Sequence, residues 1–427
     1  MPIMQGFSLD RRRLLQATAA AIAAVHAPGW LAAASQRDAT ISALVLDNNA
    51  FALNLFEQLA ASNDGNLIVS PYSVSLALAM TYAGAAGDTA EQMAQALTFA
   101  IDRDELPAAF RSLTDDLVDR GTAEADKDKQ VTARTLSVAN ALWGEQTFPF
   151  DESFTDLLAD EYDAPMNLVD FKKDPEGARE EINAWVAKKT NNRIENIVPE
   201  GLITEAARLV LANAIWFYGA WRYQFDPENT EAAPFHLLDG ETVDVPFMNQ
   251  HEDFSYASSS TYEAVELPYE GSGFSLLVVM PETDGFDDFE QSLHAGVLED
   301  IARNLERTDM RLAFPSFEFE FGAQLSDALA ALGMVDAFEA GVADFSGMIG
   351  EGTDEKLFIS SILHKAFIKL DENGTEAAAA TVVIMEGAAT APTDPIEVTI
   401  DRPFLFAIRD TETGTLLFLG RVLNPAG

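Results

Sequence analysis

Asp371-Glu372-Asn373-Gly374-Thr375-Glu376-Ala377-Ala378-Ala379-Ala380-Thr381 is the stretch on which the fold turns. After Gly374 the residues alternate as a half-buried strand does. Thr375, Ala377, Ala379, Thr381, Val383 and Met385 form one face, small or apolar throughout. Glu376, Ala378, Ala380, Val382, Ile384 and Glu386 form the other, which carries both charges. Four consecutive alanines ordinarily favour helix, but their small side chains also let an extended segment slide between two existing strands. The chain then enters Gly387-Ala388-Ala389-Thr390-Ala391-Pro392-Thr393-Asp394-Pro395, small, polar and punctuated by proline, the composition of an exposed loop tip. The two segments together read as a strand held in reserve that ends in a cleavable tip.

Other blocks accompany it in a fixed order. Asn66-Leu67-Ile68-Val69-Ser70-Pro71-Tyr72-Ser73 comes early. Ser137-Val138-Ala139-Asn140-Ala141-Leu142-Trp143 and Leu211-Ala212-Asn213-Ala214-Ile215-Trp216-Phe217, with Trp221, occupy the middle. His364-Lys365-Ala366-Phe367 leads into the hinge, and Phe418-Leu419-Gly420-Arg421-Val422-Leu423-Asn424-Pro425 closes the chain. Over nearly its whole length the chain resembles the serpins, the serine protease inhibitor superfamily.

That resemblance implies an α+β fold of three β-sheets and eight or nine helices, with an exposed reactive-centre loop at about 372–396. It implies inhibition rather than catalysis. A target serine protease attacks the loop and forms an acyl-enzyme, and the freed N-terminal half of the loop inserts into the main sheet. Carried over residue by residue, the hinge is Glu372, Gly374, Thr375, Glu376, Ala377, Ala378, Ala379, Ala380 and Thr381. The sheet-opening residues are Ser70, Ser73, Asn213, Trp221 and His364. The family's spacing from Glu372 puts the reactive bond between Ala388 and Ala389, with Gly387 and Met385 as alternatives. Ser316 stands where many relatives carry the lysine partner of the hinge acid. The implied partner is the protease in a covalent complex, with the inhibitor a monomer. A non-inhibitory serpin that binds or carries a ligand is the alternative; its hinge is commonly spoiled by bulky, charged or proline residues, and the inserting face of Thr375 to Thr381 has none.

The residues themselves agree with a non-enzyme. There is no cysteine, no Gly-x-Ser-x-Gly elbow, no P-loop and no His-Glu-x-x-His. We therefore expect no catalytic residue, cofactor or metal. His251-Glu252-Asp253 reads as a solvated surface run. Asn373-Gly374-Thr375 is a formal glycosylation sequon, expected to stay unmodified because a glycan there would obstruct insertion. From Gly374 to Ala388 an extended strand spans roughly 48 Å at about 3.4 Å per residue. All the candidate bait residues near Ala388 are small, which points to a shallow target pocket, elastase-like or subtilisin-like. Met385 would suit a chymotrypsin-like pocket, and the absence of Lys and Arg from residues 371–400 disfavours a trypsin-like one.

The N-terminus reads as an address. Asp10-Arg11-Arg12-Arg13-Leu14-Leu15-Gln16 fits a twin-arginine export motif, and an alanine-rich run ends in Ala32-Ala33-Ala34, a small-residue cleavage signal. Residues 1–34 are expected to be removed, leaving a single domain over 35–427, secreted and free of the membrane. The charge is extreme, with 27 Lys and Arg against 69 Asp and Glu, a net −42. Removing 1–34 leaves 24 against 68, or −44. Acidic residues lie in every segment, which argues for a soluble surface adapted to multimolar salt, where charges are screened within about 3 Å. It argues against nucleic-acid binding, which needs clustered Lys and Arg.

The coarse pattern is mixed. Residues 43–62, 73–84 and 87–98 have helical spacing, and 210–217, 274–280, 314–321 and 416–422 are β-rich, without the regular alternation of a doubly wound sheet.

Overall fold

The structure is a computed structural model that describes residues 29–123, 134–271, 273–375 and 394–427, with side chains from Arg37 onward. The described residues form nine α-helices, α1 (Gly29–Ala61), α2 (Pro71–Tyr82), α3 (Gly87–Ala96), α4 (Leu106–Gly121), α5 (Glu152–Tyr162), α6 (Pro175–Lys189), α7 (Phe286–Gln291), α8 (Ala295–Arg303) and α9 (Ser326–Ala331). The helical spacing predicted at 43–62, 73–84 and 87–98 falls on α1, α2 and α3. Helix α2 is buried from Pro71 to Thr81. A helix apolar all round belongs inside a protein, and this one packs against both sheets. Its start is fixed by Ser70, whose hydroxyl accepts the Ser73 N–H, and by Pro71 in the first turn, where a missing N–H costs nothing.

One sheet has six strands in the order β10-β11-β12-β4-β2-β3. They are β2 (Thr135–Glu145), β3 (Asn167–Val169), β4 (Leu209–Ala220), β10 (Phe317–Gln324), β11 (Ser361–Asp371) and β12 (Gly374–Thr375). The other network runs β1-β15-β14-β8-β7-β6-β9-β13, with β5 added on β6. Its members are β1 (Leu67–Val69), β5 (Glu231–His236), β6 (Thr242–Ser258), β7 (Tyr262–Pro268), β8 (Phe274–Pro281), β9 (Glu306–Pro315), β13 (Ile396–Thr399), β14 (Phe404–Asp410) and β15 (Leu416–Val422). The 17-residue β6 explains how three expected sheets become two networks. Its beginning pairs with β5, most of its length with β9, and its last four residues with β7, so one strand is shared between two sheets.

The β-rich run 314–321 is divided between two strands. Phe314 and Pro315 end β9 and Phe317 opens β10 in the other sheet. At the break the Ser316 N–H donates to the carbonyl of Pro246, 2.9 Å away, and the chain changes sheets there.

Strand β4 is apolar on both faces because both are covered. Leu209, Leu211, Ile215 and Phe217 face the core beneath, while Val210, Ala212 and Ala214 pack with Ala178, Ile182 and Val186 of α6.

Candidate functional site

The centre of the six-stranded sheet is closed at one end and parted at the other. Over six pairs, from Ser361↔Val210 to Ala366↔Ile215, β11 and β4 run parallel and bond directly. Further on they separate, and β12 stands between them. Thr375 pairs with Leu370 on one side and Gly219 on the other, and Gly374 with Asp371 and Ala220, antiparallel to both neighbours. Glu372 and Asn373 make the two-residue turn from β11 into β12.

This opening is pinned by its own residues. Gly374 has φ +147°, and a Cβ there would lie 2.1 Å from the Gly219 carbonyl oxygen, so only glycine fits this approach. Trp221 holds the turn twice. Its backbone N–H donates to the Asn373 carbonyl at 2.8 Å, and its indole N–H to the Asp371 carbonyl at 3.0 Å. Its ring stacks on Tyr269, 4.7 Å between centroids and 13° from parallel. The Tyr269 hydroxyl shares a 2.6 Å hydrogen bond with Thr375, both groups buried; burial pushes the Tyr269 pKa well above that of a free phenol. The hinge acid Glu372 accepts the Thr230 hydroxyl at 2.7 Å, while the Ser316 position offers it no cation.

Under the closed part of the seam lies a buried polar row. His364 and Asn213 are direct partners across β11 and β4, and Asn213 and Asn140 across β4 and β2. The His364 Nδ1–H donates to Asn213 Oδ1 at 2.5 Å, and its Nε2 accepts the Ser70 backbone N–H at 3.2 Å. Asn213 Nδ2 donates to Ser73 Oγ at 2.7 Å and to Asn140 Oδ1 at 2.5 Å, and Ser73 Oγ donates to Asn140 Oδ1 at 2.9 Å. One nitrogen of His364 donates and the other accepts, so the ring is neutral. Burial without a carboxylate partner lowers its pKa to about 3.

Of the residues expected to open the sheet, Ser70, Ser73, Asn213 and His364 are joined by these hydrogen bonds, and Trp221 bonds the turn into β12. Asn140, Thr230 and Tyr269 were missed. Asn140 left a signal, an amide inside the apolar stretch Val138 to Trp143, the same anomaly as Asn213. Thr230 and Tyr269 left none, because only the tertiary fold brings them to the hinge. Of the expected hinge, Glu372, Gly374 and Thr375 are described. Glu376, Ala377, Ala378, Ala379, Ala380 and Thr381 lie outside the described residues, as do Met385, Gly387, Ala388 and Ala389 of the expected reactive bond. His251 bonds Asp309 across the ladder at 2.7 Å, and among the described residues no group of His, Asp and Glu is placed to hold a metal.

A family profile described as "Serpin (serine protease inhibitor)" matches residues 46–425. A serpin-like protein of Thermococcus kodakarensis is 38% identical over 378 residues, covering 88% of this chain and 84% of that one. The leukocyte elastase inhibitor of Bos taurus is 38% identical over 388 residues, covering 88% and 98%. Among solved structures, the thermophilic serpin tengpin in its native state superposes with a TM-score of 0.78 at 30% identity, covering 89% of this chain and 94% of tengpin. Native protease nexin-1 with heparin gives 0.79 at 27% identity, covering 90% and 100%.

Proposed function

The chain belongs to the serpin family, a family of protease inhibitors and not of enzymes, and on that footing we propose that it traps serine proteases covalently through insertion of its own cleaved loop. The observation that carries this reading is β12, two residues already paired on both sides at the open end of a seam that is otherwise closed.

In the reaction the protease's serine oxygen attacks the carbonyl carbon of Ala388, the amine of Ala389 leaves, and an ester joins the two proteins. The cut releases the segment after Thr375 from its downstream anchor. It then extends β12 down the seam, a recognised instance of strand addition. Continued in the register of β12, Thr381 arrives opposite both Asn213 and His364. The hydrogen bond between those two must therefore break, and Thr381 brings a hydroxyl that can both donate and accept in its place. The core face of the seam receives only Ala377, Ala379, Thr381, Val383 and Met385, none of them charged. The acylated protease travels with the strand, its catalytic geometry is distorted and the ester persists.

The small residues around Ala388 suit an elastase-like or subtilisin-like target, and a relative is named as an elastase inhibitor. The twin-arginine motif and the small-residue cleavage signal support export to an extracellular, salt-rich medium.

Two measurements test the proposal. Mixing with a subtilisin-like or elastase-like protease in multimolar salt should give a complex that survives denaturing electrophoresis. Loop-nicked protein should melt well above the intact protein in the same salt. An unchanged or lower melting temperature after nicking rejects insertion.

A further inference from the structure

We propose that Asn373-Gly374 is a site of spontaneous backbone modification gated by β12, protected while β12 is paired and reactive once β12 leaves the sheet. The modified turn no longer returns β12 to its slot, so the inhibitor becomes a substrate; that consequence rests on the insertion reading above. Asparagine followed by glycine is the pair in which a chain most readily attacks itself, because a residue without Cβ leaves its backbone nitrogen unobstructed. The Gly374 nitrogen bonds to the Asn373 side-chain carbon Cγ, its proton passes to solvent, and Nδ2 leaves as ammonia. Water then opens the five-membered ring at either carbonyl. One opening leaves aspartate at 373. The other leaves isoaspartate, in which the main chain runs through Cβ and is one atom longer. The Gly219 carbonyl admits only glycine at 374, so the reactive neighbour is built into the hinge.

The paired turn holds this reaction off. Attack requires rotation about the Asn373 Cα–C bond, which swings the Asn373 carbonyl and the Gly374 nitrogen together because the peptide is planar. That carbonyl accepts the Trp221 N–H at 2.8 Å, and Gly374 is paired with Asp371 on one side and Ala220 on the other. The side chain is held as well, since Asp371 Oδ1 accepts the Asn373 backbone N–H at 2.9 Å and its Nδ2 at 3.4 Å. Just beyond, Thr375 is tied to the Tyr269 hydroxyl. Departure of β12 breaks the Trp221, Ala220 and Tyr269 holds at once. Asn373 is already half-exposed, so water has access to the ring. The extra atom of isoaspartate would displace Gly374 in a slot too tight for a single Cβ. Either product adds a carboxylate beside Asp371 and Glu372.

The test follows ammonia loss and isoaspartate formation at 373, by mass spectrometry and enzymatic isoaspartate assay, in the full chain at mildly alkaline pH and multimolar salt. Folded parent should react at least about tenfold more slowly than the same chain unfolded in urea, as expected when reaction needs local opening. Tyr269→Phe removes only the oxygen that bonds Thr375, and Trp221→Phe removes the indole N–H. Each should speed the reaction several-fold in folded protein. Asn373→Gln, whose longer side chain closes the ring poorly, should abolish it. Equal rates in folded and unfolded parent, or parent-like rates in both loosened variants, overturn the gate. Parent aged until modified should need several-fold more molecules per protease inactivated, and Asn373→Gln aged alongside should not change. Modified parent that inhibits as well as fresh parent overturns the consequence for β12 alone. Fresh parent that inhibits neither a subtilisin-like nor an elastase-like protease overturns the insertion reading, and the reaction rates still decide the gate.

Discussion

His364 shows how much one buried ring can decide. Its pKa is about 3 in the fold against 6.5 for a free histidine. Between those values the unfolded chain binds more protons than the folded one, so the contribution of His364 to stability is complete above about pH 6.5 and is lost as the pH falls toward 3. Protonation also removes the acceptor that Ser70 uses, which weakens the seam where it must part. We expect the urea midpoint of intact protein to fall from pH 7 to pH 5, and His364→Gln, though less stable at pH 7, to fall much less over the same range. Equal slopes would place the sensitivity elsewhere. At the residue scale Asn213, His364 and Glu372 were named through the family resemblance, while Asn140, the partner of Asn213 on β2, was missed. The partner of Glu372 was not legible, since Thr230 is one hydroxyl among many in the sequence.

At the scale of elements, β12 is the feature whose perturbation reads most directly. Thr375 is 3% exposed, bonded to Tyr269 and flanked by β11 and β4, so Thr375→Arg puts a long cation where there is no room. Gly374→Ala meets the Gly219 carbonyl. Both should expel β12 and slow insertion, so that the ester hydrolyses first and the inhibitor is consumed as a substrate. Titration of active protease should show the consumed stoichiometry rising several-fold for each, with the intact fold retained by circular dichroism. Parent-like stoichiometry in either would mean that β12 is not where insertion begins. Helices α1 to α3 were readable because apolar spacing on a helix is local information. The break at Ser316 was not, because phenylalanines, Phe314 and Phe317, flank it on both sides and read as one continuous β-rich run, and only the partners, β6 on one side and β11 on the other, reveal that the chain changes sheets.

For the whole molecule the dominant quantity is a net charge of −42. At 0.01 M salt the screening length is about 30 Å, and repulsion acts across most of the protein. On the insertion reading, the intact form, with its seam closed by a single parallel ladder, has less stability to lose than the nicked one. Dilution from multimolar salt should unfold or polymerise intact protein first, and circular dichroism over a salt series should give it the higher salt midpoint; coincident midpoints would separate charge repulsion from the state of the sheet. The sheet order was not legible in the sequence; the family resemblance gave the fold class and the number of sheets, and which strands neighbour one another is set by tertiary pairing. The parallel seam also bears on how the chain reaches this form. Asp371 and Gly374 are three residues apart in sequence, whereas Ser361 and Val210 are 151 apart. Closing the short loop is far less costly in entropy, so a folding chain free to choose would zip the hairpin first and bury the bait. The distant pair can close only if the far end of the loop is already held, and β13, paired with β9, is the element that holds it. On the insertion reading, the intact form is the outcome of an order of events, a fold selected by its route rather than by its depth.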